Sequence, residues 1–350
     1  MTISDGQSGQ VNMADVAQRA GVSIATVSRA LRGLPGVNPV TRSKVLSAVA
    51  ELDYVVSPAA ASLRGATRSV AVVLPRLDSW FSSTMLATIE TSLRESDLDV
   101  LVYQVGTQEQ RAHFFRDLPT RRKVDAVVLI TLPIGHEEEE RLDLMGVEVV
   151  VAGSRLRDFP SVSVDDVAIG TTAVDHLVGL GHTRIAMIRT SDTDGAKWAS
   201  DLHRRTGYVE GLLRHGLEHD PELVVTTPYG VNAGAVGIEK LLALDDPPTA
   251  VFCYSDDIAV AAIVALTRHG LSVPDDVSIV GVDGHDLGEL FDITTIDQHV
   301  EDQARAASLM VVDLLAGRPL GVTRLTLPTH LRVRGSTGPP HDRPRARRGR

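Results

Sequence analysis

The chain has 350 residues, enough for two or three domains with a sizeable core. Its single cysteine, Cys253, excludes an internal disulfide and suits a reducing compartment, and the longest uninterrupted apolar stretch, Ile258 to Leu266, is too short to span a bilayer. A formal net charge of −10 excludes a wholly basic, nucleic-acid-coating surface, but the charge is unevenly spread.

Residues 1–68 carry seven Lys/Arg against four Asp/Glu, residues 69–338 carry 23 against 40, and residues 339–350 carry five against one. A basic head on an acidic body presents the head to DNA while the body is repelled. The first ten residues, MTISDGQSGQ, have neither the basic start nor the apolar run of a secretory signal, so a cytoplasmic location is expected. They read as disordered.

Val11 to Arg32 reads as two short helices joined by a tight turn. Asn12 is placed to cap the first, Met13 to Ala20, whose inward face is Val16, Ala17 and Ala20. Gly21 stops it, because glycine takes a left-handed turn without steric cost. Ser23 caps the second helix, Ile24 to Arg32, with Val27, Ala30 and Leu31 inward at i, i+3 and i+4. The opposite stripe, Ala25, Ser28, Arg29 and Arg32, is small and polar at its start and basic at its end, as a helix laid in a DNA major groove requires. Asn38-Pro39 opens a third helix with Val45, Val49 and Leu52 on one face. Ser57 to Arg64, SPAAASLR, is alanine-rich and too short for a stable isolated helix; by composition alone it is a linker.

From Ser69 onward, short β-branched runs alternate with helical patterns. Expected strands are Val70–Leu74, Val100–Tyr103, Ala126–Ile130, Val147–Ala152, Ile185–Ile188, Leu223–Thr226, Ala250–Tyr254 and Val277–Val282. Expected helices include Ser82–Glu95, Ile169–Leu180, His203–His215, Ala233–Leu244, Asp257–His269 and one from Gln298 to Gly317. This alternation predicts an α/β body of two lobes, each a parallel sheet flanked by helices. Thr323 to Val333 reads as strands broken at Pro328. The acidic run Glu137–Glu140 reads as a solvated face, and residues after Gly338 as a disordered basic tail.

Ligands of open parallel sheets lie beyond the carboxyl ends of the strands. The loops there hold Trp80 and Phe81, Trp198, Tyr229, Ser255 and Asp256, and Asp283. Flat aromatics with carboxylate and guanidinium suit a sugar or a nucleobase. Ser255, Asp256 and His285 resemble pieces of a hydrolase triad, but no G-x-S-x-G elbow accompanies them. Gly179-Leu180-Gly181 follows a helix and lacks a third glycine, so it is no dinucleotide fingerprint. Histidines 176, 182, 203, 215 and 219 have no metal-ligand spacing. No enzyme activity, cofactor or metal is therefore expected, and Cys253 reads as a small buried hydrophobe.

VNMADVAQRAGVSIATVSRALRG, VNPVTRSKVLSAVAELDYV and SPAAASLRG together resemble the headpiece of the LacI/GalR family of bacterial transcription regulators, and the likeness runs from about Val11 to Pro340. The resemblance implies an all-α helix-turn-helix headpiece (11–56), a hinge helix and linker (57–68) and a periplasmic-binding-protein-like body for effector binding and dimerisation (69–338). Within that body the first lobe is about 69–168 plus 297–324 and the second about 169–296 plus 325–338. Residues 1–10 and 339–350 lie outside these domains.

The resemblance implies a homodimeric repressor on a pseudo-palindromic operator, answering to a small effector. The alternative is a solute-binding protein of the periplasm, which shares the two-lobed core; the headpiece argues against it. Ile24, Ala25 and Arg29 are expected at base edges, and Asn12, Ser23, Thr26 and Ser28 at phosphates. Leu63 matches a leucine that wedges the minor groove. In the body, Phe81, Arg204, Tyr229 and Asp283 match effector-contacting positions. Ser255 stands where relatives often have asparagine, Arg76 where many have aspartate, and Gly153-Ser154 replaces a frequent Asp-Arg, for which Arg155 is the candidate substitute. A sugar is the first expectation for the effector, a nucleobase the second.

Overall fold

The computed structural model describes residues 13–31, 37–52, 68–121, 124–135, 138–139, 141–142, 147–156, 158–191 and 198–341. The disorder expected for 1–10 falls outside them, as do residues 57–67 of the hinge helix and linker expected over 57–68, and residues 342–350 of the disordered tail expected over 339–350. The chain divides into two compact units, with the break between Thr67 and Arg68.

In the first unit, helix α1 (Met13–Ala20) ends at Gly21, whose φ of 68° turns the chain so that the Val22 N–H donates to the Ala17 carbonyl at 3.0 Å. Ser23 opens α2 (Ile24–Leu31) by accepting the Thr26 N–H on its hydroxyl at 3.1 Å. Asn38 does the same for α3 (Pro39–Glu51), its Oδ1 accepting the Thr41 N–H at 2.7 Å, with Pro39 at a position that needs no amide. Val16, Val27 and Val45 are fully buried where the helices meet, and Ala17, Ala30 and Ala48 let the backbones approach. Arg32, expected as the last residue of α2, lies outside the described residues.

The second unit holds two lobes. The chain first lays down β1 (Ser69–Leu74), α4 (Trp80–Arg94), β2 (Asp99–Gln104), α5 (Gln108–Arg121), β3 (Ala126–Ile130), β4 (Glu148–Ala152) and β5 (Ser161–Ser163). It then builds the second lobe from α6 (Asp166–Gly179), β6 (Ile185–Ser191), α7 (Ala199–Arg214), β7 (Val224–Pro228), α8 (Ala233–Leu242), β8 (Ala250–Cys253), α9 (Asp256–Arg268), β9 (Ser278–Asp283), α10 (Leu287–Leu290) and β10 (Thr294–Asp297). Finally α11 (Val300–Leu315) and β11 (Arg324–Thr326) return to the first lobe, and β12 (His330–Arg332) joins the second.

The strand orders are β11-β5-β4-β3-β1-β2 and β12-β10-β9-β8-β6-β7. Pairing is parallel except for β10 with β12. Both faces of the central strands β1, β3, β4, β6, β8 and β9 are covered, which is why most of these read as apolar runs, whereas the edge strand β2 is largely exposed. Val70, Val72 and Leu74 pack with Met85, Ile89 and Leu93 of α4 and Ala304, Ala307 and Val311 of α11, whereas Ala71 and Val73 face Phe114 and Phe115 of α5. In the second lobe Ile185, Met187 and Phe252 pack under α6 and α7, while Ile188, Val251 and Ile279 pack under α8 and α9.

Four elements have no counterpart among the expected ones, the one-turn helix α10 among them. β5 is only Ser-Val-Ser, β10 carries three polar residues of four, and α5 is polar with a proline inside it. Leu223 lies in a 3₁₀ turn started by Pro221, so its strand begins at Val224. The chain crosses between lobes after β5, after β10 and between β11 and β12. The last crossing lies beyond the expected 324/325 step, because Leu325 pairs with Val162 in the first sheet.

A C-terminal strap closes the second lobe at the amino ends of its strands. Ser336 accepts the Ile279 N–H on its carbonyl and the Thr294 N–H on its hydroxyl, both at 2.8 Å. His182 holds the Gly338 carbonyl at 2.9 Å, and burial pushes the pKa of this imidazole down.

Candidate functional site

A cavity opens between the two lobes of the second unit. Its wall is built from strand exits: Arg76 after β1, Thr131 after β3, Gly153 after β4, Tyr229 after β7, Tyr254 after β8, Asp283 at the end of β9 and Gln298 after β10. Phe81, Trp198, Ser200, Arg204 and Ser255 complete the part that matters chemically. Parallel strands that all point their carboxyl ends at one space give such a site without further devices.

Arg204 anchors the floor and is 3% exposed. Its Nε donates to Asp166 Oδ1 at 2.9 Å and its guanidinium to the Tyr254 carbonyl at 2.6 Å, while its Cζ lies 4.6 Å from the centre of the Tyr254 ring. Burial opposes its charge, but Asp166, Tyr254 and Asp283 more than offset this and raise its pKa. Arg204 reaches Asp166 because α6 and α7 touch through glycine. A Cβ on Gly207 would stand 2.0 Å from the Val167 carbonyl oxygen, and one on Gly170 2.2 Å from that of Arg204.

Trp198, at the start of α7, packs 5.7 Å from the Tyr229 ring and 6.0 Å from that of Tyr254, and its buried indole N–H has no acceptor among the described residues. Tyr229 donates its hydroxyl to Asp257 Oδ2 at 2.8 Å, and the Arg76 guanidinium of the first lobe lies 4.1 Å from its ring centre. Burial, then Asp257, raise the Tyr229 phenol, so it stays a neutral donor. Phe81 lies against Gly153, whose φ of 73° and lack of a side chain leave room for it: a Cβ there would be 2.8 Å from the ring. Asp283 is buried at φ 129°, and its Oδ1 accepts the Gln298 amide at 2.6 Å. Burial and the neighbouring Asp256 carboxylate raise its pKa, against Arg204. The cavity thus offers four aromatic rings, two guanidiniums and a carboxylate, a lining for a flat or polyhydroxylated polar molecule.

Of the expected contacts, Phe81, Trp198, Arg204, Tyr229, Ser255 and Asp283 converge on this cavity. Three others sit elsewhere. Trp80 stacks on His285 of the other lobe at 4.8 Å, outside the lining. Arg155 turns to the first crossing, donating to the Ser163 hydroxyl at 3.0 Å and to Thr326. It borders a separate hollow with Asp165 and His203. Asp256 is consumed by structure: its Oδ2 accepts the Gly284 and His285 N–H groups and the Thr295 hydroxyl at 2.9–3.1 Å. Burial pushes its pKa up to about 7. Ser255 lines the cavity but also caps α9. Tyr254 and Gln298 were not among the expected contacts. β10 was the missing signal, since Gln298 directly follows its carboxyl end.

On the headpiece, Ser23 is the cap of α2, with Thr26 Oγ1 2.9 Å from its hydroxyl, and Ile24 is 52% exposed. Asn12 and Leu63 lie outside the described residues, as do the side chains of Ala25, Ser28 and Arg29, whose backbone belongs to α2.

Residues 12–57 match the family described as bacterial regulatory proteins, lacI family, and residues 174–337 match the periplasmic binding protein-like domain. The HTH-type transcriptional repressor CytR of Escherichia coli K12 is 32% identical over 336 residues, 95% of this chain and 97% of its own. Catabolite control protein A of Priestia megaterium is 28% identical over 93% of this chain and 99% of its own. Among solved structures, the complex of transcriptional regulator CelR with cellobiose is 30% identical, with a TM-score of 0.70 over 93% of this chain and 99% of its own. The lac repressor dimer bound to operator and the anti-inducer ONPF is 25% identical, with a TM-score of 0.81 over 94% and 100%. With a helix-turn-helix match at its head, a two-lobed cleft in its body and a relative this similar from end to end, the chain belongs to the lacI family of bacterial transcription regulators.

Proposed function

We propose that the protein is a repressor that grips a pseudo-palindromic operator as a homodimer, with its affinity set by a small effector held between the lobes. The observation that carries this reading is the cavity itself: six residues expected at the effector, from loops after strands and from the helices α4 and α7, meet in one lining. One headpiece covers little DNA, so useful affinity calls for two, and a two-fold dimer calls for a two-fold site. Ile24, Ala25 and Arg29 read base edges, Asn12, Ser23, Thr26 and Ser28 hold phosphates, and Leu63 wedges the minor groove. Phe81, Trp198, Arg204, Tyr229, Ser255 and Asp283 hold the effector. A carbohydrate fits the stacked rings and the Asp283 acceptor, and the CelR–cellobiose structure favours it; a nucleobase comes second.

Arg29→Ala tests the recognition helix. Binding to duplexes with single base-pair changes, measured at fixed salt, is expected to weaken by about 1–3 kcal/mol at one position and to lose discrimination there. Equal loss on every sequence would make Arg29 a phosphate contact.

A further inference from the structure

The chain leaves the second lobe through Asp297, Gln298 and His299, and this bend is tied on two sides. Toward the cavity, Gln298 Nε2 donates to Asp283 Oδ1 at 2.6 Å and the Gln298 N–H to the Asp283 carbonyl at 3.3 Å. Toward the last crossing, Asp297 pairs with Arg332 of β12, and His299 Nε2 lies 2.7 Å from His330 Nδ1 on the same strand. The Gln298 carbonyl accepts the Gln303 amide at 2.9 Å, which fixes the first turn of α11.

Strained backbone stands at Asp283, one end of the cavity-side tie, and at His299, the residue after its other end. Asp283 stands at φ 129° and His299 at φ 50°, backbone that side chains avoid. Such conformations persist only where the surroundings impose them, and they cluster at switches. Asp283 and Gln298 are both buried, so water does not compete for their hydrogen bond.

We infer that Gln298 is the positioning residue through which Asp283 holds the two lobes closed. A group that takes Asp283 Oδ1 away from the Gln298 amide frees the bend and with it the angle between the lobes. This rests on the cleft being the effector site: a ligand donor seated on Oδ1 competes with Gln298, whereas one seated on Oδ2 does not. Ligands binding equally tightly would then differ in their effect on lobe angle, which is the differential interaction that regulation requires.

The test uses full-length, ligand-free protein and the contact between Trp80 on the first lobe and His285 on the second. Trp198→Phe leaves Trp80 as the one indole of the chain, so its emission reports lobe closure. In that background Gln298→Met, similar in shape without the donor, is expected to raise the acrylamide quenching constant of Trp80 at least twofold. Gln298→Leu, which also lacks the donor, is expected to raise it to a similar degree. Melting temperature, recorded in parallel, separates opening from unfolding. Quenching constants equal to the parent's in both variants, or a rise seen only where the protein has melted, would overturn the inference. Because no ligand is present, failure here leaves the effector-site reading standing.

Discussion

Replacing Arg204 by leucine is expected to lower the stability of the body by about 3–5 kcal/mol, the usual result of breaking a buried ion pair from one side. The loss comes less from the missing attraction than from what is left behind. Asp166, 8% exposed, keeps its charge without its nearest cation, and the Tyr254 carbonyl loses its donor. Asp166 lies in the first turn of α6, where free amides and the helix dipole favour an anion, so the lower end of the range is the better guide. Urea denaturation followed by tryptophan emission measures the change. Asp166→Leu/Arg204→Leu is expected to cost less than Arg204→Leu alone, because no orphan charge remains. A single variant as stable as the parent would remove the pair from the account of how the cavity floor is held.

The second large effect belongs to the other unit. Val27→Asp puts an unpaired carboxylate among Val16 and Val45, side chains with no exposure at all. A three-helix headpiece has little core to spare, and a buried unpaired charge costs more than about 3 kcal/mol. The headpiece is expected to unfold, with DNA retention falling at least a hundredfold. The melting transition of the body should stay in place, since the break between the units falls at Thr67–Arg68. Calorimetry and gel retardation on one preparation measure both. Undiminished DNA binding by this variant would mean that the helical head is not the gripping part.

How much of this was legible in the residues depends on how locally each feature is written. α1 runs from Met13 to Ala20 as expected, because an apolar stripe and Gly21 fix it within nine residues. The buried strands around Val72, Val128 and Val280 announce themselves by β-branched runs. β10 does not: Thr294, Thr295 and Asp297 are buried polar residues whose partners, Arg334 and Ser336 for Thr294 and Asp256 for Thr295, are distant in sequence. Missing β10 also hid Gln298, since the rule that finds cavity residues looks beyond strand ends.

Three of the expected contacts stand outside the cavity lining for a related reason. Trp80 and Asp256 open the helices that follow β1 and β8, and Arg155 lies in the loop after β4, but sequence cannot say that such a side chain is already spent on His285, on Thr326 or on the turn at Gly284. Arg204, by contrast, lies within α7 and not at a strand end. Only the family resemblance pointed to it.

Regulation by this chain requires linkage between the cleft and the DNA. The direct measurement is fluorescence anisotropy of an operator duplex titrated with full-length protein, with and without a sugar or nucleobase that raises the melting temperature of the body. The expected result is an operator affinity shifted by about 5–150-fold, with the same factor appearing in the affinity for the small molecule when operator is present. A molecule that occupies the cleft and stabilises the body while leaving operator affinity unchanged would contradict it.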